Sequence, residues 1–305
     1  MNNEGYAEYV KQVVVSVYGE RLMRIKYLGG GFYGRVFEVK MRVKPFVVIV
    51  KLHLLNNMGE LECRQIEVLR KYARVKLPEI YRFVTKTTES DYDAIIMEKI
   101  SGRRVDTFKK IPEKYKQALA EQIIDNMISW HDVTNDTFGE IGGKQYAEWK
   151  EYLQAIIDNI LLSLKVLQKD NPDMVVLYNE IKEINSEMDA VIPDGIKPEL
   201  IHGEYNTRNI FKIKDKITGV IDPFAAGFAD REFALHQLDV LNGRQLGLLA
   251  LYKSKVKVSD NFEKKSAFYK LFLELRHHLA VLRLEEKHII KIKKLVDEYK
   301  GLSNK

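Results

Sequence analysis

The strongest constraint on this chain is a change in hydrophobic periodicity near residue 100. Up to that point the pattern is largely that of strands. Arg35-Val36-Phe37-Glu38-Val39 alternates with a period of two, and Phe46-Val47-Val48-Ile49-Val50 is a short, β-branched apolar run suited to a buried strand. Further strands are expected around Tyr81 to Thr85 and Asp93 to Met97, in the segment that opens at Asp91. A helix from about Tyr6 to Tyr18, carrying Val10, Val13, Val14 and Val17 at helical spacing, precedes them. A second helix, from about Gly59 to Arg74, interrupts them and is stopped before Pro78.

Beyond the turn at Ser101-Gly102 the chain reads as helices, at about 112 to 131, 145 to 168, 173 to 190, 232 to 252 and 262 to 299, with Asn171-Pro172 separating the second from the third. One β interruption remains. Ile210-Phe211-Lys212-Ile213 and Ile217-Thr218-Gly219-Val220-Ile221 alternate on either side of a polar turn and read as a hairpin. A small sheet followed by a helical region defines an α+β chain, and 305 residues with 46% hydrophobic content suffice for two cores. The expected organisation is an N-terminal lobe over 1–97, a hinge at 98–102 and a helical lobe over 103–305.

Charge and cysteine content narrow the class. Lys and Arg total 49 against 43 Asp and Glu, and the excess lies in the tail, where 14 basic residues face 7 acidic ones from Lys253 onward. Such a run is first of all a solvated helix face, and no aromatic or basic spacing typical of nucleic-acid binding accompanies it. The single Cys63 excludes an intrachain disulfide and points to a reducing compartment. No stretch approaches the roughly 20 apolar residues needed to cross a bilayer, so a cytoplasmic protein without membrane partners is expected. The sequon at Asn135 is then expected to stay unmodified.

Gly29-Gly30-Gly31-Phe32-Tyr33-Gly34-Arg35-Val36 fits G-x-G-x-x-G-x-V. Dinucleotide folds also use G-x-G-x-x-G, but there the last glycine opens a helix, whereas here it opens a β-branched strand. That context matches a hairpin lid in which Gly29, Gly31 and Gly34 let backbone N–H groups approach phosphates. The competing reading is a glycine-rich turn with no ligand. Lys51 ends the apolar run and would set an ammonium at the rim of the same site; in isolation it would simply reach to water. A kinase-type lysine is held by a helix glutamate, for which Glu60, Glu62 and Glu67 are candidates, with Glu62 preferred. Met97, Glu98 and Ile100 stand where a hinge would read adenine, through the Glu98 carbonyl and Ile100 N–H with Met97 behind; an ordinary strand and turn is the alternative.

The most specific segment is His202-Gly203-Glu204-Tyr205-Asn206-Thr207-Arg208-Asn209, followed after the hairpin by Ile221-Asp222-Pro223. Its spacing is that of the kinase catalytic loop and metal-binding aspartate. Glu204 would accept the proton of an attacking hydroxyl, and Asn209 and Asp222 would offer hard oxygen ligands to Mg²⁺ on the phosphates of ATP.

On these residues the chain resembles the aminoglycoside phosphotransferase and choline kinase superfamily, with its HGDxxxxN loop and IDxxxxxxGDxxxDLA motif. Ile221-Asp222-Pro223 with Asp230-Arg231-Glu232 is similar to the fructosamine kinase branch, where IDP is followed by GDRE. The resemblance implies a protein-kinase-like two-lobed fold, ATP with Mg²⁺, and a small hydroxylated substrate: a sugar, sugar adduct, amino alcohol or aminoglycoside-like molecule. Oligomeric state is left open.

Departures from the family pattern sharpen the question. Glu204 stands where the family has Asp; its extra methylene carries the carboxylate about 1.5 Å further, a shift that can cost on the order of 100-fold in rate unless the loop adjusts. A nucleotide-binding pseudokinase is therefore the alternative reading. Gln65 occupies the place of the family's lysine-pairing glutamate, and Ala229 and Ala234 replace the Gly and last Asp of GDxxxDLA. A protein kinase is disfavoured, since no APE-like segment follows Asp222. His202 is read as a hydrogen-bonding brace of its loop, Asp230 and Arg231 as a structural pair or helix cap, and Trp130-His131 and His277-His278 as core or surface.

Overall fold

The computed structural model describes residues 3–31, 33–86, 92–168, 173–279 and 284–303. Phe32, Asp91 and the Asn171-Pro172 separator lie outside the described residues. The chain divides into two compact units, Met1–Gln122 with Thr207–Phe224, and Ile123–Asn206 with Ala225–Lys305.

The first unit holds an antiparallel sheet of β1 (Leu22–Gly30), β2 (Gly34–Met41), β3 (Val47–His53), β4 (Ile80–Val84) and β5 (Asp93–Glu98), in the order β1-β2-β3-β5-β4. Helix α1 (Asn3–Tyr18) packs Tyr6, Val10, Val13 and Val14 against Phe37, Val39, Val48, Val50, Leu52, Ala94 and Ile96. Helix α2 (Met58–Tyr72) serves the opposite face, where Cys63 joins Ile95, Met97 and Ile49. Strand parity explains the split, because successive residues point to opposite faces. Val48, Val50 and Leu52 go to α1, so Ile49 and Lys51 go to α2. A central strand covered on both faces has no polar side, which is why 47–50 reads as a continuous apolar run; Phe46 precedes the strand and is exposed.

The same unit contains the hairpin of β9 (Ile210–Ile213) and β10 (Lys216–Val220), joined on the β9 side by the two-residue β6 (Arg103–Arg104). Gly219 is required there: a Cβ would lie 2.8 Å from the Lys76 carbonyl oxygen, which accepts the Val220 N–H at 2.8 Å. A 3₁₀ turn at Val105–Thr107 leads toward α3 (Glu113–His131), which the division between the units crosses.

The second unit is mostly helical. Its elements are α4 (Trp149–Leu167), α5 (Asp173–Ser186), α6 (Met188–Val191), α7 (Asn242–Leu246), α8 (Leu248–Lys255), α9 (Phe262–Leu279) and α10 (Glu286–Ser303). A small sheet of β7 (Gly139–Glu140), β8 (Glu199–Ile201) and β11 (Gly227–Ala229) joins them, in the order β7-β11-β8. Trp149, Leu153, Ile157, Leu177, Ile181, Phe268, Phe272 and Tyr299 form its core.

Three helix expectations need correction. The pattern over 262–299 is two helices, α9 and α10; apolar residues recur at helical spacing on both sides of the break, so periodicity alone does not register it. The pattern over 232–252 is a 3₁₀ turn at Leu235–Asp239 followed by α7 and α8; Gly247, in the left-handed region at φ 63°, ends one helix and opens the next. The pattern over 173–190 is α5 and the one-turn α6.

The second unit buries a charge cluster beneath α9. Lys265 Nζ lies 2.6 Å from Asp230 and 3.1 Å from Glu232, and all three side chains are at most 7% exposed. Tyr269 donates to Asp230 at 2.7 Å, Trp149 donates to the Tyr269 hydroxyl at 2.8 Å, and Glu232 accepts the Ser259 N–H and hydroxyl. Removing the Lys265 ammonium takes the salt-bridge partner from two buried carboxylates, a defect of about 3–5 kcal/mol. Lys265→Met is accordingly expected to lower the melting temperature by roughly 10 °C in a thermal unfolding scan; an unchanged midpoint would show that the cluster carries no stability.

Candidate active site

Lys51 is the centre of the constellation in the first unit. Parity turns it toward α2, where its Nζ donates to Glu62 Oε2 at 2.6 Å and to Asp222 Oδ1 at 2.5 Å. Of the three glutamates considered for α2, Glu62 lies on the buried stripe with Cys63, Ile66 and Leu69, whereas Glu60 faces outward and pairs with Arg64. His53 Nε2 lies 3.2 Å from the same Glu62 oxygen, and Gln65 is buried on the helix without displacing Glu62 from the lysine. Burial by itself would raise the Glu62 carboxyl and lower the Lys51 ammonium. Lys51 and His53 outweigh it for Glu62, which is held at about 2, and Asp222 and Glu62 outweigh it for Lys51, which is held above the ordinary lysine value. Both partners are thus charged throughout the neutral range.

Asp222 has φ 60°, a left-handed conformation that Asp tolerates better than most residues and that costs of order 1 kcal/mol or more. Its side chain is 46% exposed although it meets a nearly buried lysine. The hairpin positions Asn209 beside it: the Asn209 carbonyl accepts the Ile221 N–H at 3.0 Å, and Asn209 Nδ2 lies 3.4 Å from the Asp222 carbonyl oxygen. Strand β9 begins immediately after Asn209 and β10 ends two residues before Asp222, so the hairpin closes the two residues onto one another.

The donor set fits a hard divalent cation. One carboxylate and one amide oxygen are what Mg²⁺ takes from a protein when phosphate oxygens and water complete its octahedron. Among the described residues no three His, Cys, Asp or Glu side chains converge as a closed metal cage.

The glycine turn is shaped by close backbone approach. A Cβ on Gly30 would lie 2.6 Å from the Gly34 carbonyl oxygen, and one on Gly34 would lie 2.7 Å from that of Leu52. Gly29 has φ 144°, and Gly31 faces open space. Arg35 donates to the carbonyls of Gly31 and Gly34, and Tyr33 stacks on Phe224 with centroids 5.4 Å apart. Neither Arg35 nor the Tyr33–Phe224 pair stood out in the sequence; an aromatic two residues after Asp222 was the available signal. At the end of β5, Met97 is buried, the Glu98 N–H donates to Glu79, and the Glu98 carboxylate pairs with Lys76. Ile100 is buried with its side chain against Gly219.

Glu204 belongs to the second unit, since the division falls after Asn206. Its side chain is about a quarter exposed, with Oε1 4.0 Å from His277 Nδ1, so His277 acquires a neighbour that sequence reading did not give it. His202 braces the loop by ring packing, lying 5.5 Å from Trp130 in a stacked arrangement and 5.7 Å from Tyr205. Tyr205 fixes the loop by donating to the Ile123 carbonyl at 3.0 Å. Asp230 and Arg231 do not pair with each other: Asp230 meets Lys265, and Arg231 forms a bidentate pair with Glu199. The second unit also holds a cavity of about 380 Å³ whose lining includes Glu140, Lys144, Tyr152 and Arg276, with Arg276 paired to Glu140.

A sheet with a lysine–glutamate pair, meeting an asparagine and an aspartate at the two ends of a β-hairpin, is the constellation of a kinase nucleotide site. Comparison with known proteins agrees: the fructosamine kinase family model matches residues 7–300, and the chain belongs to that family of small-molecule kinases. Similar solved structures include a putative fructosamine-3-kinase from Haemophilus somnus 129PT, at 16% identity and TM-score 0.68, covering 98% of this chain and 99% of that one. Another is aminoglycoside phosphotransferase APH(4)-Ia in ternary complex with ADP and hygromycin B, at 16% identity and TM-score 0.71, covering 97% and 98%. In sequence, the uncharacterized protein YcbJ of Escherichia coli K12 is 23% identical over 213 residues, 68% of this chain and 70% of that protein. The fold is therefore protein-kinase-like, and no helix among the described residues is long and apolar enough to cross a membrane.

Proposed function

We propose that the protein transfers the γ-phosphate of ATP to a hydroxyl of a small polar molecule. The observation that carries this is Lys51 held between Glu62 and Asp222, with Asn209 hydrogen-bonded at the same turn. Lys51 keeps its proton against burial because two carboxylates surround it, so it meets a phosphate already charged and already placed. Asp222 and Asn209 would hold Mg²⁺, which when bound neutralises phosphate charge as it shifts toward the leaving oxygen. The glycine turn supplies backbone N–H groups where side chains would collide, and the Glu98 carbonyl and Ile100 N–H are the groups proposed to read the base. Glu204 is the proposed proton acceptor for the substrate hydroxyl, and the braced His202–Tyr205 segment holds its backbone in place.

For the acceptor, the second unit offers the cavity lined by Glu140, Tyr152 and Arg276, whose mixed charge and hydroxyl groups suit a polyol or sugar adduct better than a purely cationic ligand. APH(4)-Ia binds hygromycin B, a bulky polyol, which extends the plausible range to aminoglycoside-like molecules. A second reading, nucleotide binding with little transfer, is favoured by one observation only, the glutamate at 204. Incubation with Mg²⁺-ATP and a panel of sugars, glycated amines, amino alcohols and aminoglycosides, read by mass spectrometry, tests the proposal. At least one acceptor is expected to gain a phosphoryl group; ATP binding with no acceptor phosphorylated would favour the second reading.

A further inference from the structure

The β9–β10 hairpin carries a buried cation that the phosphotransfer chemistry does not use. Lys212, on β9, is 4% exposed, yet no carboxylate pairs with it among the described residues. Its Nζ lies 4.0 Å from the Phe108 ring centroid and 5.8 Å from that of Tyr115, and it donates to the Lys214 carbonyl at 3.0 Å. An ammonium has three donors. A position that only needed filling would accept a methionine of similar length without the cost of desolvating a charge.

The surroundings add positive charge. The Arg103 guanidinium lies 4.8 Å from the centroid of the same Phe108 ring, so two cations share one aromatic ring. Burial and Arg103 together push the Lys212 ammonium below the ordinary lysine value, with Asp215 opposing them. These residues line a groove of about 410 Å³ whose other charged members are Lys110 and Lys214, and whose walls are Phe108, Tyr115 and Ile213. Among the described residues no acidic side chain lines it. The volume is at the lower end for small-ligand sites, and the combination of apolar walls with an inner ammonium and a basic rim selects a flat apolar body bearing one anionic group.

The geometry points to a binding site for a small amphipathic anion, an aryl or alkyl carboxylate or phosphate, held by Lys212 and Arg103 at a place separate from the Lys51 constellation. The site bears on the nucleotide-binding segments through the backbone. Lys212 is three residues beyond Asn209, and Gly102, two residues past Ile100, packs so closely that a Cβ there would lie 2.5 Å from the Lys212 carbonyl oxygen. An anion drawing on Lys212 acts on a strand in direct contact with the exit of the hinge. The site is therefore assigned as an effector site, whose occupancy changes nucleotide affinity.

The test is a calorimetric titration of the full chain with phenyl phosphate, and with benzyl alcohol and inorganic phosphate as controls for the apolar and anionic halves. Saturable binding of phenyl phosphate is expected, weaker for either control, and weakened about 10-fold or more by Lys212→Met, as for loss of a charge-assisted hydrogen bond. Asp222→Ala should leave it intact, and saturating Mg²⁺-ATP should shift the affinity without abolishing it. Arg103→Gln, at an exposed position, gives the same test should Lys212→Met fail to fold. No saturation up to roughly 10 mM, full affinity in both variants, or complete displacement by nucleotide would overturn the assignment. So would binding of a glutamate-rich peptide where phenyl phosphate fails.

Discussion

Asp222→Ala is expected to lower kcat for phosphate transfer by at least about 10³-fold while leaving the melting temperature within a few degrees of wild type. The first half follows from charge. Loss of a metal ligand at a transferring phosphate removes several kcal/mol of transition-state stabilisation, and about 4 kcal/mol corresponds to three decades of rate. The second half follows from geometry. Lys51 retains Glu62 at 2.6 Å, so no buried charge is left alone, and the Asp222 side chain is already 46% exposed. Asn also tolerates the left-handed conformation that Asp222 adopts, so Asp222→Asn keeps the turn and removes only the charge. Equal losses in the two variants would assign the effect to the carboxylate. Activity within ten-fold of wild type in either variant would remove Asp222 from the metal site.

Glu204 carries the other large effect. Glu204→Ala should reduce kcat by about 10²–10⁴-fold, the range of a lost general base, with little change in nucleotide affinity. Glu204→Asp restores the family residue, and the structure makes its sign informative. The loop backbone is fixed by the packing of His202 against Trp130 and by the Tyr205 hydrogen bond to Ile123, so it has little freedom to follow a shorter side chain. Withdrawing the carboxylate by about 1.5 Å is then expected to cost on the order of 100-fold in kcat. A gain in rate would instead identify a degenerate site. His277, 4.0 Å from the carboxylate, is the neighbour against which the glutamate is positioned, and His277→Ala should lower kcat less than Glu204→Ala does.

Much of the first unit could be read from the sequence because parity and spacing are rigid rules. Lys51 is of opposite parity to Val48 and Val50, so once those residues face α1 the lysine must face α2. The choice among Glu60, Glu62 and Glu67 remained open because it depends on the rotation of α2, which the buried Cys63, Ile66 and Leu69 set only in three dimensions. Asn209 and Asp222 were legible as a pair because a short hairpin can only return the chain to where it began. The second unit was less legible. Two-residue strands such as β6 and β7 are too short to show a period, and α9 and α10 share a continuous apolar pattern across the break between them. Gly243 and Gly247 were visible but read as helix interior; a Cβ on Gly243 would lie 2.3 Å from the Leu238 carbonyl oxygen. Lys212 was invisible as a buried charge, since a lysine alternating with Phe211 and Ile213 looks like the solvent face of a hairpin.

The proposed function rests on Asp222 and Asn209 forming, with Lys51, a metal-dependent nucleotide site. Titration of wild-type protein and Asp222→Ala with ATP, each with Mg²⁺ and with a chelator, tests it directly. Wild type should bind with Mg²⁺ and lose roughly ten-fold or more in affinity without it, while Asp222→Ala should show the same weak binding in both conditions. Equal affinity for all four combinations, or no binding by wild type, would contradict the assignment.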